Sequence, residues 1–155
     1  MPTASAPGGF VFPRARAASS PAKPFFSSEL LPNSTTASVH SATAVEIPGG
    51  KLRAFWYGGS REGASDVSIY TSVYAPQQGI WSPERVVVSR ESAQRHLRRY
   101  VRKLGNPVVG RDRGGRLCLF FVSVSVGGWA GSAINLMVSD DEGETWSPPR
   151  RLITS

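Results

Sequence analysis

The amino-acid sequence predicts an all-β fold: about two four-stranded sheets of the kind that repeat radially in a partial β-propeller, with one short connecting helix. Three observations lead there. Short runs rich in β-branched and aromatic residues alternate with Gly, Pro and Ser. A long stretch of the chain recurs at one constant offset, and a compact turn signature, Ser139 to Trp146, closes the second copy. Residues 36–155 carry this pattern, and residues 1–35 are expected as a disordered or poorly ordered leader. Its first part holds Arg14, Arg16 and Lys23, no acid, and Pro2, Pro7, Pro13, Pro21 and Pro24.

The candidate strands come in two sets. The first is Val39–Ile47, Leu52–Tyr57, Val67–Tyr74 and Arg85–Val88, in a sheet spanning about 38–90. The second is Asn106–Gly110, Leu117–Val124, Ala133–Ser139 and Arg150–Ile153, in a sheet spanning about 105–155. One offset maps Gly49, Gly50, Lys51, Leu52 and Phe55 onto Gly114, Gly115, Arg116, Leu117 and Phe120. It also maps Trp81-Ser82-Pro83 onto Trp146-Ser147-Pro148, and Arg85 onto Arg150. A Gly-Gly turn feeding an apolar strand and a hairpin ending in Trp-Ser-Pro therefore form one module used twice. Radial sheets close a ring only with about four to eight copies, so two leave broad faces uncovered and imply further blades from a longer chain.

Between the modules, Leu97, Tyr100, Val101 and Leu104 fall at the spacing of one buried helical stripe, which predicts a linker helix over about 91–104. Ser89 or Ser92 would cap its start, and Gly105 would stop it. Its other face carries Arg95, Arg98, Arg99, Arg102 and Lys103 without an aromatic stacking platform, so these residues read as a solvated face and no nucleic-acid partner is expected.

Composition narrows the rest. The chain has 155 residues, 18 Lys plus Arg against 11 Asp plus Glu, and a net charge of +7, a surplus that favours anionic partners. Its single cysteine, Cys118, excludes an internal disulfide and has no ligand set around it, so neither a structural metal nor a cofactor is expected. No apolar run reaches the ~18 residues of a membrane helix, and no secretory signal pattern is recognisable. The compartment stays open, with a periplasmic or secreted location available to a chain whose true N-terminus is missing.

Ser139-Asp140-Asp141-Glu142-Gly143-Glu144-Thr145-Trp146 fits the pattern S-x-D-x-G-x-T-W at every specified position. Asp141 can bond amides across the turn, Gly143 can take a positive φ, and Trp146 can bury its ring in the sheet, which makes Ser139, Asp141, Gly143, Thr145 and Trp146 structural residues. A calcium loop is the competing reading of the acids, but the alternating ligands and distal glutamate of an EF-hand are missing.

With its degenerate counterpart ending at Trp81-Ser82-Pro83, this turn makes the chain resemble the sialidase (neuraminidase) superfamily with BNR/Asp-box repeats, over roughly residues 38–155. A subgroup of that superfamily is similar through His40-Ser41-Ala42-Thr43 with Glu46 and Pro48, and through Gly59-Ser60-Arg61-Glu62-Gly63-Ala64-Ser65-Asp66-Val67. Gly105-Asn106-Pro107-Val108 and Gly127-Gly128-Trp129-Ala130-Gly131-Ser132 add to the match. The resemblance implies a six-bladed sialidase-type propeller and an exo-α-sialidase type of glycoside hydrolase acting on terminal acidic sugars of glycoconjugates.

By the same resemblance Asp66 is the acid/base that protonates the leaving glycosidic oxygen and later activates water, and Arg61 helps bind the substrate carboxylate. The first-strand arginine of sialidases is replaced, with His40 nearest to it. An imidazole is a poorer carboxylate clamp than a guanidinium, which opens the assignment to another acidic sugar. Trp129 offers an apolar platform for a sugar face and Asn106 a two-way hydrogen-bonding group. The tyrosine nucleophile and its glutamate partner come from later blades in sialidases, so Tyr57, Tyr70, Tyr74 and Tyr100 read as core or edge aromatics and the fragment is expected to be inactive. The alternatives are a propeller that binds glycans or proteins without catalysis, and a hydrolase or lyase for a different acidic sugar.

Overall fold

Strand β1 (Ser38–Ile47) turns through Gly49 and Gly50 into β2 (Lys51–Gly59), which pairs antiparallel with β3 (Ser68–Ala75). Two short strands, β4 (Ile80–Trp81) and β5 (Arg85–Val88), both pair with β3 to complete the first sheet. Helix α1 (Arg90–Leu97) leads to the second sheet, β6 (Lys103–Arg111), β7 (Leu117–Val124), β8 (Ser132–Ser139) and β9 (Arg150–Arg151), ordered as in sequence. This computed structural model describes Phe26 and residues 28–152. The chain is all-β with two antiparallel sheets. The expected strands recur, with β4 added because two residues are too short to carry a periodic signal. Most of the expected leader, and Ile153 at the end of the last expected strand, lie outside the described residues. Of the leader's described part, Ser34 donates its amide and hydroxyl to Glu84, and Asn33 is tied to Thr36.

The sequence repeat is also a repeat of register. Residues 65 apart occupy the same ladder position, as Ser41 and Asn106 do. Val45 faces Arg53 as Gly110 faces Cys118, Leu52 faces Tyr74 as Leu117 faces Ser139, and Thr71 faces Arg85 as Leu136 faces Arg150. Even the irregularities coincide. β1 bulges between His40 and Thr43 and β6 between Gly105 and Val108, and the bulges hold Ser41 at φ 52° and Asn106 at φ 43°.

The Trp-Ser-Pro segments explain themselves in the same way. Ser82 N–H donates to Val73 O at 2.8 Å while its hydroxyl accepts from Val73 N at 3.0 Å; Ser147 repeats both bonds to Val138 at 2.8 and 3.0 Å. The following proline, Pro83 or Pro148, has no N–H for the ladder, so the serine hydroxyl makes the last cross-strand bond before the pairing breaks.

The sheets stack head to tail. Phe55, Tyr57 and Ile69 on one face of the first meet Leu119, Phe121 and Met137 of the second, with Val67, Val88, Ala93 of α1, Val101 and Leu104 closing the core. Leu119 and Phe121 are the repeat counterparts of Ala54 and Trp56, which point to the opposite face of the first sheet. The corresponding forward face of the second sheet is uncovered. Phe120 and Val122 are half-buried and Ile134 is 39% exposed, where Phe55, Tyr57 and Ile69 are buried.

The linker helix corrects the expectation. It spans eight residues, Arg90–Leu97, and ends at Arg98 in the left-handed region, φ 50°. Ser89 and Ser92 form a reciprocal capping box at its start, so both candidate caps take part. The helix does not reach 104 because the second sheet claims the chain first. Arg102 N–H bonds Val124 O at 2.7 Å, and Lys103 and Leu104 pair with Val124 and Ser123. Val101 and Leu104 are buried as expected, but on entry to a strand, and Tyr100 is exposed. Gly105 is no helix stop: it pairs with Val122 inside β6. Of the basic residues assigned to the helix, only Arg95 is on it.

Candidate functional site

Antiparallel pairing decides which residues share an end. Ser38 lies opposite Gly59 and Lys103 opposite Val124, so the starts of β1 and β6 stand beside the loops that follow β2 and β7. Those loops carry Arg61 to Asp66 and Gly127 to Gly131. His40, Asn106, Trp129, Arg61 and Asp66 therefore all gather at one end of the two sheets, and the Ser139–Trp146 turn lies at the other, following β8 where Ser139 faces Leu117.

The β2–β3 loop is anchored by Ala64 and Val67, both buried, and is closed by Asp66. The exposed Asp66 carboxylate accepts from Ser60 N–H at 3.0 Å and from Ser60 hydroxyl at 3.1 Å, an arrangement that fixes the carboxyl while each oxygen keeps a lone pair free. Arg61 is exposed, and no hydrogen bond or ion pair holds its side chain among the described residues. All of the Asp66 side chain's hydrogen bonds lie within its own loop, so none joins it to His40, Asn106 or Trp129.

His40 projects from the bulge of β1. Its Nε2 is 3.0 Å from Ser38 Oγ, and its ring stacks on Tyr57 with centroids 5.5 Å apart. Tyr57 buries its ring but reaches Glu62 with its hydroxyl, donating at 3.4 Å. Burial pushes the phenol above its ordinary range, and the Glu62 carboxylate adds to the shift. Tyr57 was expected as a core aromatic. It is one, but it also carries the loop glutamate, and the pair was unreadable in the sequence because nothing there assigns the phenol to Glu62.

The second sheet contributes Asn106 and Trp129. Asn106 Oδ1 accepts from Ser41 hydroxyl at 3.2 Å, the bulge of one sheet bonded to the bulge of the other. Two further links follow the same seam: Arg111 donates to Glu46 O at 3.0 Å, and Val109 N–H approaches Thr43 Oγ1 at 3.5 Å. Trp129, 49% exposed in a single 3-10 turn (Gly128–Gly131), lays its ring against Gly105; a Cβ there would stand 3.2 Å from the ring. The ammonium of Lys103 sits 4.1 Å over the same ring.

At the far end the turn is a closed hydrogen-bond cage. Ser139 hydroxyl donates to Asp141 and accepts from Gly143 N–H at 2.8 Å, and Asp141 accepts from Thr145 N–H at 2.8 Å and from its hydroxyl at 2.6 Å. These donors, the Thr145 hydroxyl first, pull the Asp141 carboxyl down to about 2. Trp146 donates to Gly143 O at 3.1 Å and meets Phe55 of the first sheet edge-on. Glu144 pairs with the buried Arg53 and with Arg85, so the turn also fastens one sheet to the other.

A cleft of about 320 Å³ between α1 and the Trp146–Pro149 stretch includes Arg85, His96 and Met137 and none of the residues of the first end. No cluster of three or more His, Cys, Asp or Glu able to hold a metal occurs among the described residues, and no helix there is long and apolar enough to cross a membrane.

Residues 50–155 match the family of BNR repeat-like domains. Among solved structures the chain is similar to the Hadza microbial sialidase Hz136, with 18% identity and a TM-score of 0.59 over 75% of this chain. It spans 26% of that sialidase's length. The curated proteins contain no match.

Proposed function

The chain belongs to the family of BNR repeat-like domains, and we propose that it forms two adjacent blades of a six-bladed, sialidase-like hydrolase for terminal acidic sugars. The head-to-tail stacking carries this proposal: two sheets in one register, joined bulge to bulge, gather the candidate residues at a common end. Completion of the ring by further blades would turn that end into an axial pocket, and the two sheets by themselves would be inactive.

In this mechanism the Asp66 carboxyl, oriented by Ser60, protonates the glycosidic oxygen as the aglycone leaves and then takes a proton from the water that releases the sugar. Arg61, free of other partners, reaches the substrate carboxylate. His40 is held by Ser38 and Tyr57, and Asn106 by Ser41; both present polar edges to sugar hydroxyls. Trp129 offers its exposed ring to an apolar sugar face. The nucleophile is proposed to come from a later blade, and Tyr57 with Glu62 supports the loop.

The test is Asp66→Ala in the polypeptide with the complete ring, assayed on a fluorogenic sialoside and on a glucuronide. Turnover should fall by about 10²-fold or more, the scale of general acid–base catalysis. Unchanged turnover removes Asp66 from the chemistry. A second reading, a propeller that binds acidic glycans without cleaving them, is favoured by the hydrogen bonds of Asp66, which all remain inside its loop. Glycan binding by a wild type that turns over no acidic sugar would select it.

A further inference from the structure

Lys103 is the first residue of β6, and its repeat counterpart in the first sheet is Ser38. The two positions carry different chemistry: Ser38 places a hydroxyl within hydrogen-bond distance of His40 Nε2, whereas Lys103 brings a full positive charge to the seam. Its ammonium lies 4.1 Å over the Trp129 ring and 3.2 Å from the place a Cβ would take at Gly63, so it bridges the β7–β8 loop and the β2–β3 loop. Gly63 stands at φ +69°, and any side chain there would crowd the ammonium, so the loop keeps this space open for the cation.

No carboxylate pairs with Lys103 among the described residues, although Glu62 adjoins Gly63 and the other end of the molecule pairs Arg53, Arg85 and Arg111 with Glu144 and Glu142. The ring face approaches the ammonium from one side only. An ammonium has three donors, and a π face satisfies part of that capacity. A half-buried cation, held in place, without a counter-ion and beside groups suited to sugar hydroxyls, is a ready anion receptor.

We infer that Lys103 is a carboxylate-binding residue for an acidic sugar, with Trp129 as the positioning residue that holds its ammonium at the seam. This rests on the proposal above that an acidic sugar occupies this end. Arg61 and Lys103 then approach the ligand from different sheets, and selectivity for the acid over the neutral sugar depends on the seam between them.

The experiment titrates the polypeptide that holds the complete ring with glucuronic acid, N-acetylneuraminic acid and neutral glucose, following binding by NMR. Wild type should prefer the acids. Lys103→Met should reduce that preference about tenfold or more, the loss expected for a charge-assisted bond, with glucose binding unchanged, and Lys103→Arg should keep most of it. Preference retained by a folded Lys103→Met chain overturns the inference and leaves the acidic-sugar proposal standing. Wild type binding acids and glucose equally also overturns it. Wild type binding none of the three sugars removes the proposal and the inference together. A purely structural cation–π contact predicts something else, a lower melting temperature in Lys103→Met with the acid preference intact, and that result counts against the inference.

Discussion

The hydroxyl of Ser41 donates to Asn106 Oδ1 at 3.2 Å, and the two residues are repeat counterparts, each in the left-handed region at the bulge of its own sheet. One residue of a repeating unit thus bonds its own equivalent in the next. Asn tolerates φ near +45° better than most residues because its short polar side chain bonds locally, whereas a β-branched residue there is strained. Asn106→Gly should therefore cost only the hydrogen bond, about 1 kcal/mol, and Asn106→Val roughly 1–2 kcal/mol more. Urea denaturation of both variants measures the gap, and equal stabilities would contradict the backbone argument.

The Asp141 cage makes an acid-limb prediction. Its carboxyl titrates at about 2 in the fold and near 4 in the unfolded chain, so the stabilisation is complete above about pH 4 and is lost as the pH falls through about 2. Asp141→Asn should melt below wild type at neutral pH, and the two melting temperatures should converge between pH 4 and pH 2. Parallel curves across that window would show the cage does not supply the stabilisation.

Gly143 stands at φ +87°, and a Cβ there would come 2.8 Å from Arg53 Cδ. Gly143→Ala should destabilise by about 2 kcal/mol, part backbone strain and part displacement of the buried guanidinium. In an Arg53→Ala background the same change should cost less, because the contact with the Arg53 side chain disappears. Additive costs in thermal or chemical unfolding would place the whole effect in the backbone.

Tyr57 gives the alkaline counterpart. Its phenol is raised by burial and by Glu62, so its contribution to stability is complete below the ordinary phenol value near 10 and is lost as the pH climbs through the higher folded value. Tyr57→Phe should flatten the fall in stability above pH 10. Glu62→Gln should move the slowest tyrosinate absorbance step to lower pH.

Much of this molecule could be read from its sequence because the repeat is written in residue types with strong local roles. Gly49-Gly50 and Gly114-Gly115 turn the chain, and Trp-Ser-Pro ends a ladder whether or not its partner strand is known. The cage within the Ser139–Trp146 turn is likewise local, the bonds among Ser139, Asp141, Gly143, Thr145 and Trp146 spanning no more than four residues. The helix end was not legible, since Val101 and Leu104 fit a helical stripe and a buried strand entry equally well and only the pairing of Leu104 with Ser123 decides between them. Glu62 on Tyr57, Lys103 over Trp129 and Ser41 on Asn106 were hidden for a related reason. The first depends on how the β2–β3 loop folds back on its own strand and the other two on how two loops or two sheets come together, which residue type and spacing do not specify.

The stacking has a direction. Phe55 and Tyr57 look forward into the second sheet while Leu119 and Phe121 look back, as successive stones lean the same way in an arch. A twofold pair of such chains would join like to like and could never reproduce this contact. On the proposal made above, the next blade seats itself on Phe120, Val122 and Ile134 in the same orientation, and the series closes where its last member meets its first.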